Sequence, residues 1–175
     1  PAGWRSLSAD ERQIILSRVA DEVRMARDSL MGAALAEGGK TLLESDPEVS
    51  EAVDFIEFYS QSAVAFDQLE GVTALGRGVV VVVSPWNFPI AIPCGGIAAA
   101  LAAGNCVILK PASNTVLIAS LLCECFYRGG VPRAALQIMP CPGRDVGESL
   151  VTNDLVDTVI LTGGTDTALK MLHAK

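Results

Sequence analysis

The chain has 175 residues, half of them hydrophobic and 19% charged, with a mean hydropathy of +0.40. That is enough for one sizeable core, or for a core with an appended helical segment. A formal net charge of −7, a pI near 4.6 and the lack of any Lys/Arg cluster argue against nucleic acid or an anionic membrane as partner, and favour small molecules.

No stretch reads as a transmembrane helix, because the weakly polar residues 90–104 are Ala/Gly-rich and carry Pro93. The polar start lacks the basic-then-apolar pattern of a signal peptide, so the cytoplasm is the expected location. The five cysteines are odd in number with no C-x-x-C pair, and the single histidine is His173. Neither a metal site nor a disulfide framework is therefore expected, and the thiols read as small hydrophobes. The start at Pro1 and the stop at Lys175 inside a helical pattern read as a piece of something longer.

Residues 1–67 read as a helical segment. Ser8 and Glu11 form a capping box ahead of Ile14, Ile15, Val19 and Val23 at helical spacing. A second helix runs from about Ser29 to Gly38-Gly39, and a third is expected from Asp46 as N-cap with Pro47 in its first turn. The third carries Val49, Val53, Ile56 and Tyr59 on one stripe. Glu48, Glu51, Asp54 and Glu57 are interleaved and read as a solvated acidic face.

Residues 68–175 read as a second domain in which strands and helices alternate. The β-branched run of residues 79–83 is a strand, residues 95–103 a small-residue helix, and residues 105–109 a second strand. A helix over residues 115–128, stopped by Gly129-Gly130, leads to a third strand at residues 136–139. A short helix near Asp145, ending at Val151, precedes a fourth strand at residues 158–162 and a last helix. Four such alternations predict an open, parallel, Rossmann-like sheet with helices on both faces, an α/β fold.

Parallel strands point their carboxyl ends one way, and three of those ends carry distinctive groups. After the first come Ser84-Pro85-Trp86-Asn87-Phe88-Pro89, where two prolines forbid helix and ladder alike and hold Asn87 just past the strand. Its amide N–H2 can donate to a developing oxyanion without titrating. The second strand ends in Lys110-Pro111-Ala112-Ser113, placing an ammonium and a hydroxyl at the rim as donors for ribose hydroxyls. The fourth ends in Thr162-Gly163-Gly164-Thr165, where backbone N–H groups at a helix start favour a phosphate. The dinucleotide fingerprint G-x-G-x-x-G is absent.

In order and spacing these three motifs resemble the landmarks of the NAD(P)-dependent aldehyde dehydrogenase superfamily. The resemblance covers essentially the whole chain, including the Gly38-Gly39-Lys40 turn, but only the N-terminal part of the family's length. It implies that Asn87 is the catalytic oxyanion donor to a thiohemiacetal. It further implies that Ser84, Pro85, Trp86, Lys110, Ser113, Gly163 and Gly164 line the cofactor, with Lys110 at the adenosine ribose and the glycine turn against the pyrophosphate. NAD or NADP would be the cofactor, a small aldehyde the substrate, and a homo-oligomer the assembly.

Departures from the family pattern accompany the matches. Ser113 stands where many members have a Glu that grips the ribose 2′-hydroxyl and repels a 2′-phosphate, which leaves NAD and NADP both open. Gly164 stands where the family has Ser, and Ala168 where it often has Gly. None of Cys94, Cys106, Cys123, Cys125 or Cys141 matches the family's nucleophile, which, like its general-base Glu, lies beyond residue 175. Residues 47–59 are similar to the glutamate-semialdehyde (pyrroline-5-carboxylate) dehydrogenases of proline catabolism, including bifunctional proline-utilisation proteins. The expected function is therefore the N-terminal part of an aldehyde-oxidising enzyme, inactive alone. The competing readings are a non-catalytic nucleotide-binding module and an interaction module that docks through its acidic third helix.

Overall fold

The computed structural model describes residues 3–143 and 147–174. Pro1 and Lys175, on which the expectation of a longer protein rests, lie outside these residues, as does Asp145, where the short helix was expected to begin.

Helix α1 (Ala9–Met25) opens with the expected capping box: Ser8 Oγ accepts from Glu11 N–H at 3.1 Å while Glu11 Oε2 accepts from Ser8 N–H at 2.7 Å. Helix α2 (Arg27–Gly38) stops at Gly39, whose φ of +64° is the left-handed conformation that glycine supplies cheaply. Helix α3 (Leu42–Asp67) starts a turn earlier than the sequence suggests. Thr41 and Glu44 form a second capping box and win over Asp46, which instead accepts from Arg27. Pro47 then sits in the second turn and costs one backbone bond. Burial of Val49, Ala52, Val53 and Ile56 on one stripe offsets that loss.

Strand β1 (Val79–Val83) is followed by α4 (Ala91–Ala102), β2 (Cys106–Lys110), α5 (Val116–Gly129) and β3 (Leu136–Ile138). Helix α6 (Gly147–Val151), β4 (Thr158–Leu161) and α7 (Thr165–Ala174) complete the order. Helix α4 begins four residues before its expected start. Pro93 is tolerated there because the first-turn N–H groups have no partner within the helix.

The sheet order is β3-β2-β1-β4, every pair parallel, with Val83 opposite Lys110 on one side and Leu161 on the other. From β1 the chain moves outward to β2 and β3, then returns to the far side of β1 as β4, so the order reverses between β1 and β4. Alternation along β1 sends Val80 and Val82 into a core with α1 to α5, and Val81 and Val83 into a smaller one with α6 and Met171 of α7. Helices thus cover both faces. Helix α1 packs on α3 and α5, and α3 on α4, so the first three helices share the larger core.

The small residues of α4 permit close approach to its neighbours. A Cβ at Gly96 would lie 2.8 Å from Val82 Cγ1, and one at Gly95 3.0 Å from Phe55 Cδ2. Among the described residues no helix is long and apolar enough to cross a membrane.

Candidate active site

Ligands of open α/β sheets bind where the strand order reverses, outside the carboxyl ends. At that place, between β1 and β4, lies a cavity of about 430 Å³ lined by Ser84, Pro85, Trp86 and Asn87 from one turn and Thr162, Gly163 and Gly164 from the other. Five of the seven residues read from sequence as cofactor contacts, Ser84, Pro85, Trp86, Gly163 and Gly164, therefore share one space with Asn87. The β1 turn is fastened at its base by Ser84 N–H to the Lys110 carbonyl (3.2 Å), and the β4 turn by Thr162 N–H to the Val83 carbonyl (3.1 Å).

Lys110 is not at an open rim. It is 7% exposed, and its Nζ donates to the Pro111 carbonyl at 3.2 Å, which occupies one of three N–H donors. The side chain lines a second cavity of about 480 Å³ between α6 and α7, bordered by Gly143, Glu148 and Lys170. The two cavities have Val83 and Thr167 in common, so they adjoin across the β1 end. Ser113 is exposed in the turn after β2 and borders neither space. The Gly163-Gly164 turn is exposed, a Cβ at Gly164 would meet nothing within 4 Å, and both N–H groups fixed at α7's start, those of Thr167 and Ala168, donate to the Gly164 carbonyl.

Two side chains that sequence reading did not single out hold the Asn87 turn. Glu48 is 2% exposed, far from the solvated acid expected of it. Its Oε1 accepts from the N–H groups of Ile90 (2.7 Å) and Ala91 (3.1 Å), and its Oε2 from Lys40 Nζ at 2.6 Å. Lys40 Nζ also donates to the Asn87 carbonyl at 2.9 Å and lies 4.5 Å from the centre of the Phe88 ring. A signal was present in the spacing: Glu48, Ala52, Ile56 and Ser60 recur every four residues, on the buried stripe. Glu51 and Asp54 are exposed as expected, while Glu57 pairs with Arg24. Beside this turn Glu44 accepts from the Thr41 N–H at 2.8 Å, which holds its carboxyl below the ordinary range.

The three most buried cysteines are poorly suited to act as nucleophiles. Burial pushes the Cys94 thiol well above its ordinary value, raises Cys123 to about 12 and raises Cys125, opposite in direction to activation. Cys141 is half-buried, and so is Cys106 on β2.

The family model for the aldehyde dehydrogenase family matches residues 1–175. The chain is 41% identical over 165 residues to the bifunctional protein PutA of Klebsiella aerogenes, across 94% of its own length and 12% of that protein. Among solved structures, proline utilization A (PutA) from Corynebacterium freiburgense superposes with a TM-score of 0.93 at 40% identity, covering 97% of this chain and 18% of that one. The 1-pyrroline-5-carboxylate dehydrogenase from Thermus with bound NAD gives 0.92 at 31% identity, covering 98% and 35%. The chain thus spans a minor part of the length of these relatives. It belongs to the aldehyde dehydrogenase family, within reach of the subgroup that residues 47–59 pointed to.

Proposed function

We propose that this member of the aldehyde dehydrogenase family supplies the nicotinamide-dinucleotide half and the oxyanion donor of an enzyme that oxidises glutamate semialdehyde to the acid. The observation that carries the reading is the single cavity at the β1/β4 reversal, flanked by Asn87 on one side and the Gly163-Gly164 turn on the other. The residues fit a dinucleotide. Lys110 keeps donors to spare in a buried setting for ribose hydroxyls, the glycine turn offers backbone N–H groups to a pyrophosphate, and two adjoining cavities match a two-part ligand. NAD, when bound there, would supply the hydride acceptor.

The roles of this chain's own residues follow. The Asn87 amide donates to the oxygen that gains charge when a thiolate adds to the aldehyde carbon. Its preorganised position lowers the barrier without any proton transfer from the side chain. The thiolate is assigned to a cysteine outside residues 1–175, as the family pattern implies, and burial holds Cys94, Cys123 and Cys125 in the thiol form. Hydride loss from the adduct then leaves a thioester that water hydrolyses to the acid. Ser113 lies outside both cavities and brings no carboxylate to them, so the reading takes NAD and NADP alike.

The test is NADH formation from glutamate semialdehyde by a full-length protein carrying this chain, with NADP in parallel. Turnover at a rate dependent on the aldehyde supports the reading. Tight NAD binding with no hydride transfer from any aldehyde would leave a nucleotide-binding module instead. The 175-residue chain alone is expected to form no NADH above background, and thiol-sensitive NADH production by it would overturn the assignment of the nucleophile.

A further inference from the structure

The Asn87 turn cannot brace itself. Pro85 and Pro89 lack N–H groups, the Asn87 and Phe88 side chains are exposed, and the regular bonds resume only at Ser84 and in α4. The missing bracing arrives from α3 and the turn before it. The contacts run from the Asn87 carbonyl to Lys40 Nζ, on to Glu48 Oε2, and through the same carboxylate's Oε1 to the N–H groups of Ile90 and Ala91. This closes a ring around residues 87–91, with the Phe88 ring beneath the ammonium. Every hydrogen bond in it is charge-assisted, and the Glu48 side chain is only 1% exposed, where such bonds are strong and weakly screened.

We propose that Lys40 and Glu48 are positioning residues for Asn87, a buried ion pair retained to fix the amide donor at the reacting oxygen. The inference rests on Asn87 acting as oxyanion donor. The physical requirement is tolerance: a donor held within about 0.5 Å is effective, and a displacement of about 1 Å costs up to about 10²-fold in rate. An exposed Asn in a turn with two prolines has no such precision by itself.

The experiment is a double-mutant cycle in the full-length protein. Lys40→Met removes the ammonium and keeps the stem, and Glu48→Gln keeps the shape and one acceptor oxygen. Each is made in the native background and with Asn87→Ala, which leaves the carbonyl contacted by Lys40 in place. Single-turnover hydride transfer, NAD affinity and melting temperature are read together. The expected result is a rate loss of roughly 10- to 100-fold for each single variant, with NAD affinity within about twofold. That loss should vanish in the Asn87→Ala background, and Lys40→Arg should recover part of the rate.

Equal fold-losses in both backgrounds would overturn the proposal, as would lower melting temperatures with an unchanged rate. If Glu48→Gln fails to fold, Lys40→Met decides alone, and failure of both assigns the pair to stability and overturns the proposal. Failure here is separable from failure of the underlying reading. A slow Asn87→Ala enzyme with a fast Lys40→Met enzyme removes only the positioning role, whereas an Asn87→Ala enzyme as fast as wild type removes Asn87 from catalysis and this proposal with it.

Discussion

The two turns that flank the β1/β4 cavity are built in opposite ways. The Asn87 turn is held from outside the sheet by a buried carboxylate and an ammonium, whereas the Gly163-Gly164 turn is exposed and followed by α7, a helix with no buried residue. The difference matches what the proposed roles ask of each. A side chain that must meet one oxygen needs its backbone fixed, while a glycine turn presenting N–H groups to a diffuse anion works through dipoles that the helix start already aligns.

The largest effect should come from breaking the clamp. Glu48→Ala leaves Lys40 without its carboxylate and two N–H groups without an acceptor, and is expected to lower unfolding stability by about 3–5 kcal/mol in a denaturant titration. Gly164→Ala, with open space around the new methyl, should shift it by no more than about 1 kcal/mol. Similar losses at both sites would erase the distinction between the turns.

Next in size is Asn87→Ala, expected to lower kcat by roughly 10²- to 10³-fold while NAD affinity, measured by calorimetry, stays close to wild type. A change in affinity with kcat intact would move Asn87 from the reacting centre to the cofactor. Lys110→Ala should do the reverse: removing one charged donor weakens NAD binding by roughly tenfold or more and leaves single-turnover chemistry little altered.

A further effect belongs to the larger core and appears only in alkali. Cys94, Cys123 and Cys125 have folded-state pKa values raised above the ordinary 9.0, Cys123 to about 12, because burial disfavours the thiolate. The native state therefore holds protons that the unfolded chain has released. The associated stability is complete below about pH 9 and is lost as pH rises towards 12, with a slope of at most about 1.4 kcal/mol per pH unit for each thiol. Denaturation midpoints between pH 8 and 11 check the sign, and Cys123→Ala should flatten the decline.

Much of this was legible in local pattern. The valine run at residues 79–83, the Ser8/Glu11 box and the glycine stops at Gly39 and Gly130 are decided by neighbours within a few residues, so strand order of appearance, helix ends and the parallel α/β class could be read directly. The start of α3 was misread because two capping signals compete there, and the choice between Thr41 and Asp46 depends on where Arg27 and the buried stripe lie.

Likewise Asn87, Lys110 and Gly163-Gly164 could be assigned from sequence to the ends of the first, second and fourth strands, and parallel pairing alone brings those ends to one edge. Only the tertiary structure decided that Lys110 is buried between α6 and α7, that Ser113 stays outside both cavities, and that Glu48 faces inward to hold the Asn87 turn with Lys40. The reason is physical: hydrogen bonds between residues more than forty positions apart depend on packing of whole helices, whereas periodicity reports only which face of its own helix a residue occupies.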